Sequence, residues 1–156
     1  MRVLMVCTGN ICRSLMAHAV LEQQAARVGV TGLVVDSAGV SNEEQGNPPD
    51  RRARRVLVEA GYEVPDHVAR QVEASDFASF DLILAMTSSH RRALERLVAR
   101  YGVAEPPEIR LYREWDPSGC GDVPDPWYGG YDDFVDTLAC IERVTPRLLE
   151  RYATNA

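Results

Sequence analysis

Arg2-Val3-Leu4-Met5-Val6 is a short apolar run that ends at Cys7, turns through Gly9-Asn10 and leads into a helical repeat from Ser14 to Val28. A strand feeding straight into a helix is the first half of a β-α-β unit, and the rest of the chain keeps the alternation. Leu15, Ala19, Leu21, Ala25 and Val28 recur at helical spacing, and Gly29 stops the repeat. Leu33-Val34-Val35 reads as a second strand closed by the turn Asp36-Ser37-Ala38-Gly39, and Ser41 to Pro49 as a polar loop. Asp50 is placed to cap a helix running to about Ala60, with Gly61 as its stop. Leu82-Ile83-Leu84-Ala85-Met86 is an apolar strand of the kind buried on both faces. A helix over Ser89 to Tyr101, a short strand at Ile109-Arg110-Leu111 and a closing helix over Tyr131 to Tyr152 complete the pattern, with Pro146 a candidate kink in the last. The expected fold is α/β, three-layered, with a mostly parallel four-stranded sheet and helices on both faces. Ligands in such sheets sit at the carboxyl ends of the strands, which directs attention to Cys7, Ser37 and Thr87.

The chain has 156 residues and no repeat, low-complexity tract or Gly/Ser linker, so residues 1–156 are expected to form one domain. A hydrophobic fraction of 46% beside 26% charged residues excludes a disordered chain. No apolar run approaches the roughly 20 residues that span a bilayer, and the N-terminus enters the first strand at once. A cytoplasmic protein with no membrane partner is expected. Cys7, Cys12, Cys120 and Cys140 do not read as a disulfide framework at this length, nor as zinc ligands. There is no Cys-x-x-Cys, and His18, His67 and His90 are scattered, so neither metal nor cofactor is expected. The net charge of -6 argues against a nucleic-acid partner, although a local site can be positive on an acidic protein. Every basic residue is arginine; coding bias explains this better than phosphate recognition throughout.

The chemistry concentrates after the first strand, in Cys7-Thr8-Gly9-Asn10-Ile11-Cys12-Arg13-Ser14. A Cys-x5-Arg pair alone is weak evidence. Its setting is stronger: the cysteine ends a buried strand, Gly-Asn supplies backbone tolerant of positive φ, and the arginine opens a helix. Such a loop turns its N–H groups inward as a nest for a tetrahedral oxyanion, and the helix N-terminus adds partial positive charge. The guanidinium fork of Arg13 suits two phosphate oxygens, which would sit above the Cys7 sulfur. The same surroundings stabilise a nucleophilic thiolate, to which Ser14 is placed to donate.

These residues resemble the phosphate loop of the low-molecular-weight protein tyrosine phosphatases. The resemblance continues through Asp36-Ser37-Ala38-Gly39, Gly46-Asn47-Pro48-Pro49-Asp50, His67-Val68-Ala69-Arg70-Gln71 and Asp76-Phe77-Ala78 to Asp125-Pro126-Trp127-Tyr128-Gly129, nearly the whole chain in the family's order. It implies hydrolysis of phosphotyrosine in protein substrates through a phosphocysteine on Cys7, with Arg13 binding phosphate and no cofactor. On its own Asp125 reads as a turn aspartate, since Asp-Pro is common in turns. The resemblance implies that it is the general acid, and later the base that activates water. Asp116-Pro117 is the nearest decoy. Trp127 and Tyr128, read alone as packing aromatics or cleft walls, become walls of the cleft. Asn10, Ser14, Ser37 and His67 become the network supporting the loop. Cys12 becomes the partner of a reversible, protective disulfide with Cys7. A monomer or weak dimer is expected.

Three departures from the family pattern stand out: Leu15 where proline is usual, Thr87 where aspartate is common, and an acidic lip, Ser41-Asn42-Glu43-Glu44-Gln45. Glu43 lies near where many relatives carry an aromatic, so the lip is expected to repel acidic phosphopeptides. Three rival readings are weaker. An arsenate reductase needs further cysteines in mid-chain, and none lies between Cys12 and Cys120. A phosphocysteine carrier has no need of Asp125. A silent phosphotyrosine-binding module would be expected to have lost Cys7 or Asp125.

Overall fold

The computed structural model describes residues 1–153. Its centre is β1 (Arg2–Cys7), which pairs in parallel with β2 (Val34–Gly39) on one side and β3 (Leu82–Ala85) on the other. The fourth strand, β4 (Glu108–Leu111), adds to the free edge of β3, so the sheet order is β2-β1-β3-β4 with every pair parallel. Side chains alternate across β1. Val3, Met5 and Cys7 enter a core shared with α1 (Arg13–Arg27), α2 (Arg51–Glu59) and α5 (Tyr131–Ala153). Leu4 and Val6 enter a second core, on the side of the short α3 (Asp76–Ser79) and α4 (Ser88–Tyr101). Leu4, Met5, Val6, Ile83 and Leu84 are fully buried. Each contributes roughly 1.5–3 kcal/mol relative to exposure, so the floor of the strand-end loops is rigid.

Local signals account for most of the boundaries. The Asp50 carboxylate accepts from the Arg52 and Ala53 amides and caps α2. Thr87 Oγ1 accepts from the His90 amide and caps α4, whose end is left-handed Gly102. Pro146 lies inside α5, which continues on both sides of it.

Two expectations need correction. Asp36-Ser37-Ala38-Gly39 is the body of β2, paired to Leu4, Met5, Val6 and Cys7 in register, rather than a turn closing it. Polar residues survive inside this strand because their side chains find partners: the Ser37 hydroxyl meets His18 and His67, and Asp36 meets Arg70. The short helix α3 was not expected as an element.

Asp116 is structural. Its side chain is fully buried and takes Arg113 at 2.7 Å, Arg143 at 2.7 and 2.8 Å and the Ser118 amide at 2.8 Å. These donors, above all Arg143, hold its carboxyl far below the usual carboxylate range. The resulting stability is present in full above the ordinary aspartate value near 3.9 and is lost as pH falls below it. Asp116→Asn is therefore expected to cost about 3 kcal/mol at neutral pH. Urea melts should show a constant difference from wild type between pH 8 and 5 that narrows toward pH 3; a pH-independent difference would refute the ion-pair account.

Candidate active site

The connections leaving β1 and β3 run to opposite sides of the sheet, which opens a crevice at their carboxyl ends. The Cys7–Ser14 loop fills it. Asn10 adopts φ +64°, the only positive φ outside glycine among the described residues, and is buried. Several contacts over-determine that strained turn. The Asn10 amide donates to Cys7 Sγ at 3.3 Å, and Asn10 Nδ2 donates to Ser14 Oγ at 2.9 Å. Asn10 Oδ1 accepts from the Arg70 amide at 3.2 Å and meets His67 Nε2 at 2.7 Å. Ser37 Oγ lies 3.3 Å from His67 Nε2 and 3.1 Å from His18 Nδ1. The loop also rests on bare backbone at Gly39, where a Cβ would stand 2.4 Å from the Thr8 carbonyl oxygen.

Cys7 is buried, and two polar groups meet its sulfur. Ser14 Oγ lies 3.0 Å away and also accepts from Asn10 Nδ2, so its own proton is free to turn to the sulfur once Cys7 has lost its proton. An amide and a hydroxyl thus converge on one sulfur. No side chain caps α1 at Cys12, so the helix presents its first N–H groups to the loop. Arg13 is buried, with Nη1 3.4 Å from the Val123 carbonyl and Nη2 3.5 Å from Asp125 Oδ2. Cys12 is also buried. Burial and the nearby Asp50 carboxylate push its thiol far up, so it is protonated at neutral pH. Both loop cysteines are free thiols, as are Cys120 and Cys140.

Residues 7–13 floor a cleft of about 190 Å³ walled by Glu43, Glu44, Asp125, Trp127 and Tyr128. Asp125 is half exposed at the rim, and its Oδ1 accepts from the Trp127 amide at 3.1 Å. The loop carrying it is strapped down by the Val123 amide on the Met86 carbonyl (2.8 Å) and by Thr137 Oγ1 on the Pro124 carbonyl (3.1 Å).

Against known proteins, residues 2–156 match the family model described as low molecular weight phosphotyrosine protein phosphatase. The chain belongs to that family. It is 43% identical to a low molecular weight protein-tyrosine-phosphatase of Streptomyces coelicolor, over 95% of this chain and 91% of that one. A protein tyrosine phosphatase of Entamoeba histolytica, solved with Hepes in its active site, superposes with a TM-score of 0.89 at 32% identity, over 99% and 98% of the two chains. An arginine phosphatase from Drosophila superposes with a TM-score of 0.91 at 31% identity, over 97% and 98%.

The structure brings together every site residue singled out from the sequence of this low-molecular-weight phosphatase. Cys7 to Ser14 form the floor, Ser37 and His67 stand behind it, and Glu43, Asp125, Trp127 and Tyr128 surround the opening. Leu15, in place of proline, is fully buried in a first turn that forms without it. Thr87 supplies support of its own, because the His90 it caps meets Thr8 Oγ1 through Nε2 at 2.8 Å. Burial and the neighbouring Arg13 lower His90 to about 4, so it is neutral beneath the loop.

Sequence reasoning missed Arg52. Its guanidinium donates to the Trp127 and Gly129 carbonyls at 3.1 and 3.3 Å, and lies over the rings of Trp127 and Phe134 at 5.4 and 4.5 Å. Anchored also by Asp50, it positions the loop that carries Asp125. Three other arginines share the stretch Arg51 to Arg55, and nothing in that run singles Arg52 out. The histidines need correction too: His18 and His67 are not scattered but lie edge to face with ring centroids 5.6 Å apart.

Proposed function

We propose that this phosphatase hydrolyses phosphotyrosine in proteins through a phosphocysteine on Cys7. The observation that carries the reading is the pair of donors on the Cys7 sulfur, at the floor of a cleft that also exposes Arg13 and Asp125. A phosphate dianion seated in the loop takes its oxygens onto the loop amides and the Arg13 fork, replacing the weak Arg13–Asp125 contact. The Cys7 thiolate attacks phosphorus in line, the P–O bond breaks, and Asp125 gives its proton to the leaving phenolate. Water then attacks the phosphocysteine, with the Asp125 carboxylate taking its proton. The S–P bond breaks, and phosphate and thiolate are regenerated. The fully charged, planar grip of Arg13 and the loop dipoles supplies the electrostatic part of the barrier reduction.

Trp127 and Tyr128 line the cleft above Cys7, where the ring of tyrosine would pack, and a phosphate bound on its floor would suit the long phosphotyrosine side chain better than serine or threonine. Glu43 and Glu44 make the rim acidic, so substrates with Lys or Arg beside the phosphotyrosine are preferred. The four free thiols suit a cytoplasmic enzyme, and no described helix is long and apolar enough to cross a membrane. Initial rates with EDTA present test the reading on phosphotyrosine peptides flanked by basic or acidic residues, beside a phosphoarginine peptide. The basic peptide should be several-fold better in kcat/KM at low salt, with the gap closing as salt screens the rim. Faster turnover of phosphoarginine, the reading to which the similar arginine phosphatase from Drosophila points, would overturn the substrate and leave the cysteine chemistry standing.

A further inference from the structure

Behind the loop, and outside the cleft, one donor atom from each of His18, Asp36 and His67 lies within 4.8 Å of the others. We infer that these three side chains form a site for a divalent transition metal of the Zn²⁺ class, with Glu22 in reach as a fourth donor. Two imidazoles and a carboxylate are a borderline donor set that suits zinc rather than calcium or magnesium.

The orientation of the rings is already that of ligands. His67 Nε2 is committed to Asn10 Oδ1 at 2.7 Å, which makes it the protonated nitrogen and leaves a lone pair on Nδ1. That lone pair faces Asp36 Oδ1 at 3.6 Å, so two acceptors look at each other with no proton between them. Metal-bound histidines show this arrangement, one nitrogen on the metal and the other donating to a carbonyl. His18 Nδ1 lies 3.1 Å from Ser37 Oγ; in the tautomer that donates to this hydroxyl, the lone pair is on Nε2, which stands 3.8 Å from Glu22.

The competing cation is Arg70, but it sits on Asp36 Oδ2 and is shared with the buried Asp76; Oδ1 accepts from the Ser37 amide at 2.8 Å and turns its remaining lone pair to His67. Zinc at about 2.0–2.1 Å from each donor would hold them near 3.3 Å apart. The closure needed is on the order of 1 Å, and Asp36 and Glu22, both part-exposed, have room to make it.

A metal on His67 Nδ1 would lock the Nε2–H on Asn10 and so stiffen the strained turn beneath Cys7. It would support the loop and take no part in the chemistry, so this inference is independent of the substrate. The test uses the full chain as Cys7→Ser, which removes the competing active-site thiolate, titrated with Zn²⁺ and, for its spectrum, Co²⁺. One Zn²⁺ per chain is expected, with the melting temperature rising about 5–10 °C at a hundredfold excess over Kd. Co²⁺ should give the visible bands of an N/O site without a thiolate charge-transfer band. His18→Asn, which can keep the bond to Ser37, and Asp36→Asn, which can keep the bond to the Ser37 amide, should each weaken binding on the order of 10²-fold. No melting shift in Cys7→Ser, or a shift that survives both ligand variants, overturns the site.

Discussion

Cys7→Ser is expected to abolish turnover of p-nitrophenyl phosphate in the presence of EDTA, by at least about 10⁴-fold, with the fold intact. The argument is chemical before it is structural. A serine hydroxyl in the same place keeps the shape of the floor and can still receive the Asn10 amide that now donates to the sulfur at 3.3 Å. It cannot be deprotonated by what surrounds it. Ser14 and the loop amides stabilise an anion once formed, but none is a base that removes a proton, and the buried imidazole of His90 is engaged with Thr8. A thiol ionises without such help, and this is why the loop needs no catalytic histidine. Phosphate binding should survive, because Arg13 and the helix N-terminus are untouched, so the loss falls on kcat and not on the competitive inhibition constant for inorganic phosphate. Residual turnover within tenfold of wild type would remove Cys7 as nucleophile. Loss of phosphate inhibition together with activity would show instead that the loop had collapsed.

What the sequence made legible follows from how local each signal is. The Cys7–Ser14 loop is contiguous, its strand and helix are contiguous with it, and a glycine–asparagine turn names its own backbone conformation; Asn10 adopts it at φ +64°. The four strands were findable from apolar runs, except that β2 continues through Asp36 and Ser37, where polar side chains concealed a buried strand. Their burial is tolerated through His18, His67 and Arg70, partners that lie 19, 30 and 34 residues away from them. Such compensation is a tertiary fact that no local pattern encodes. Arg52 is the same case at longer range, reaching the Trp127 carbonyl 75 residues on. Asp116 and Asp125, both followed by proline, could be ranked by resemblance but not by physics. The structure separates them plainly, one buried between two arginines and the other at the mouth of the cleft.

That separation gives the second large effect. Asp125→Asn should lower kcat/KM, which reports phosphocysteine formation, by about 10²–10⁴-fold for phenyl phosphate and phosphotyrosine, the range a general acid contributes, and far less for p-nitrophenyl phosphate. The leaving phenolate of tyrosine, with a conjugate acid near 10, needs a proton as the P–O bond breaks. The more acidic nitrophenol departs as an anion with little help. Asparagine is the informative replacement because the turn depends on Oδ1, which accepts from the Trp127 amide at 3.1 Å, and an amide oxygen can accept there as well. Arg52 continues to hold the Trp127 and Gly129 carbonyls, so the loop keeps its place while the proton is lost. The Arg13–Asp125 contact weakens in the same variant, but at 3.5 Å to a half-exposed carboxylate it is a rim interaction of little worth, and its loss frees the guanidinium for phosphate. KM should therefore hold or fall as kcat drops. A plot of log kcat/KM against leaving-group acidity should be nearly flat for the wild type and steep for the variant. Two parallel lines, equal slowing for good and poor leaving groups, would mean that Asp125 shapes the cleft and another group carries the proton.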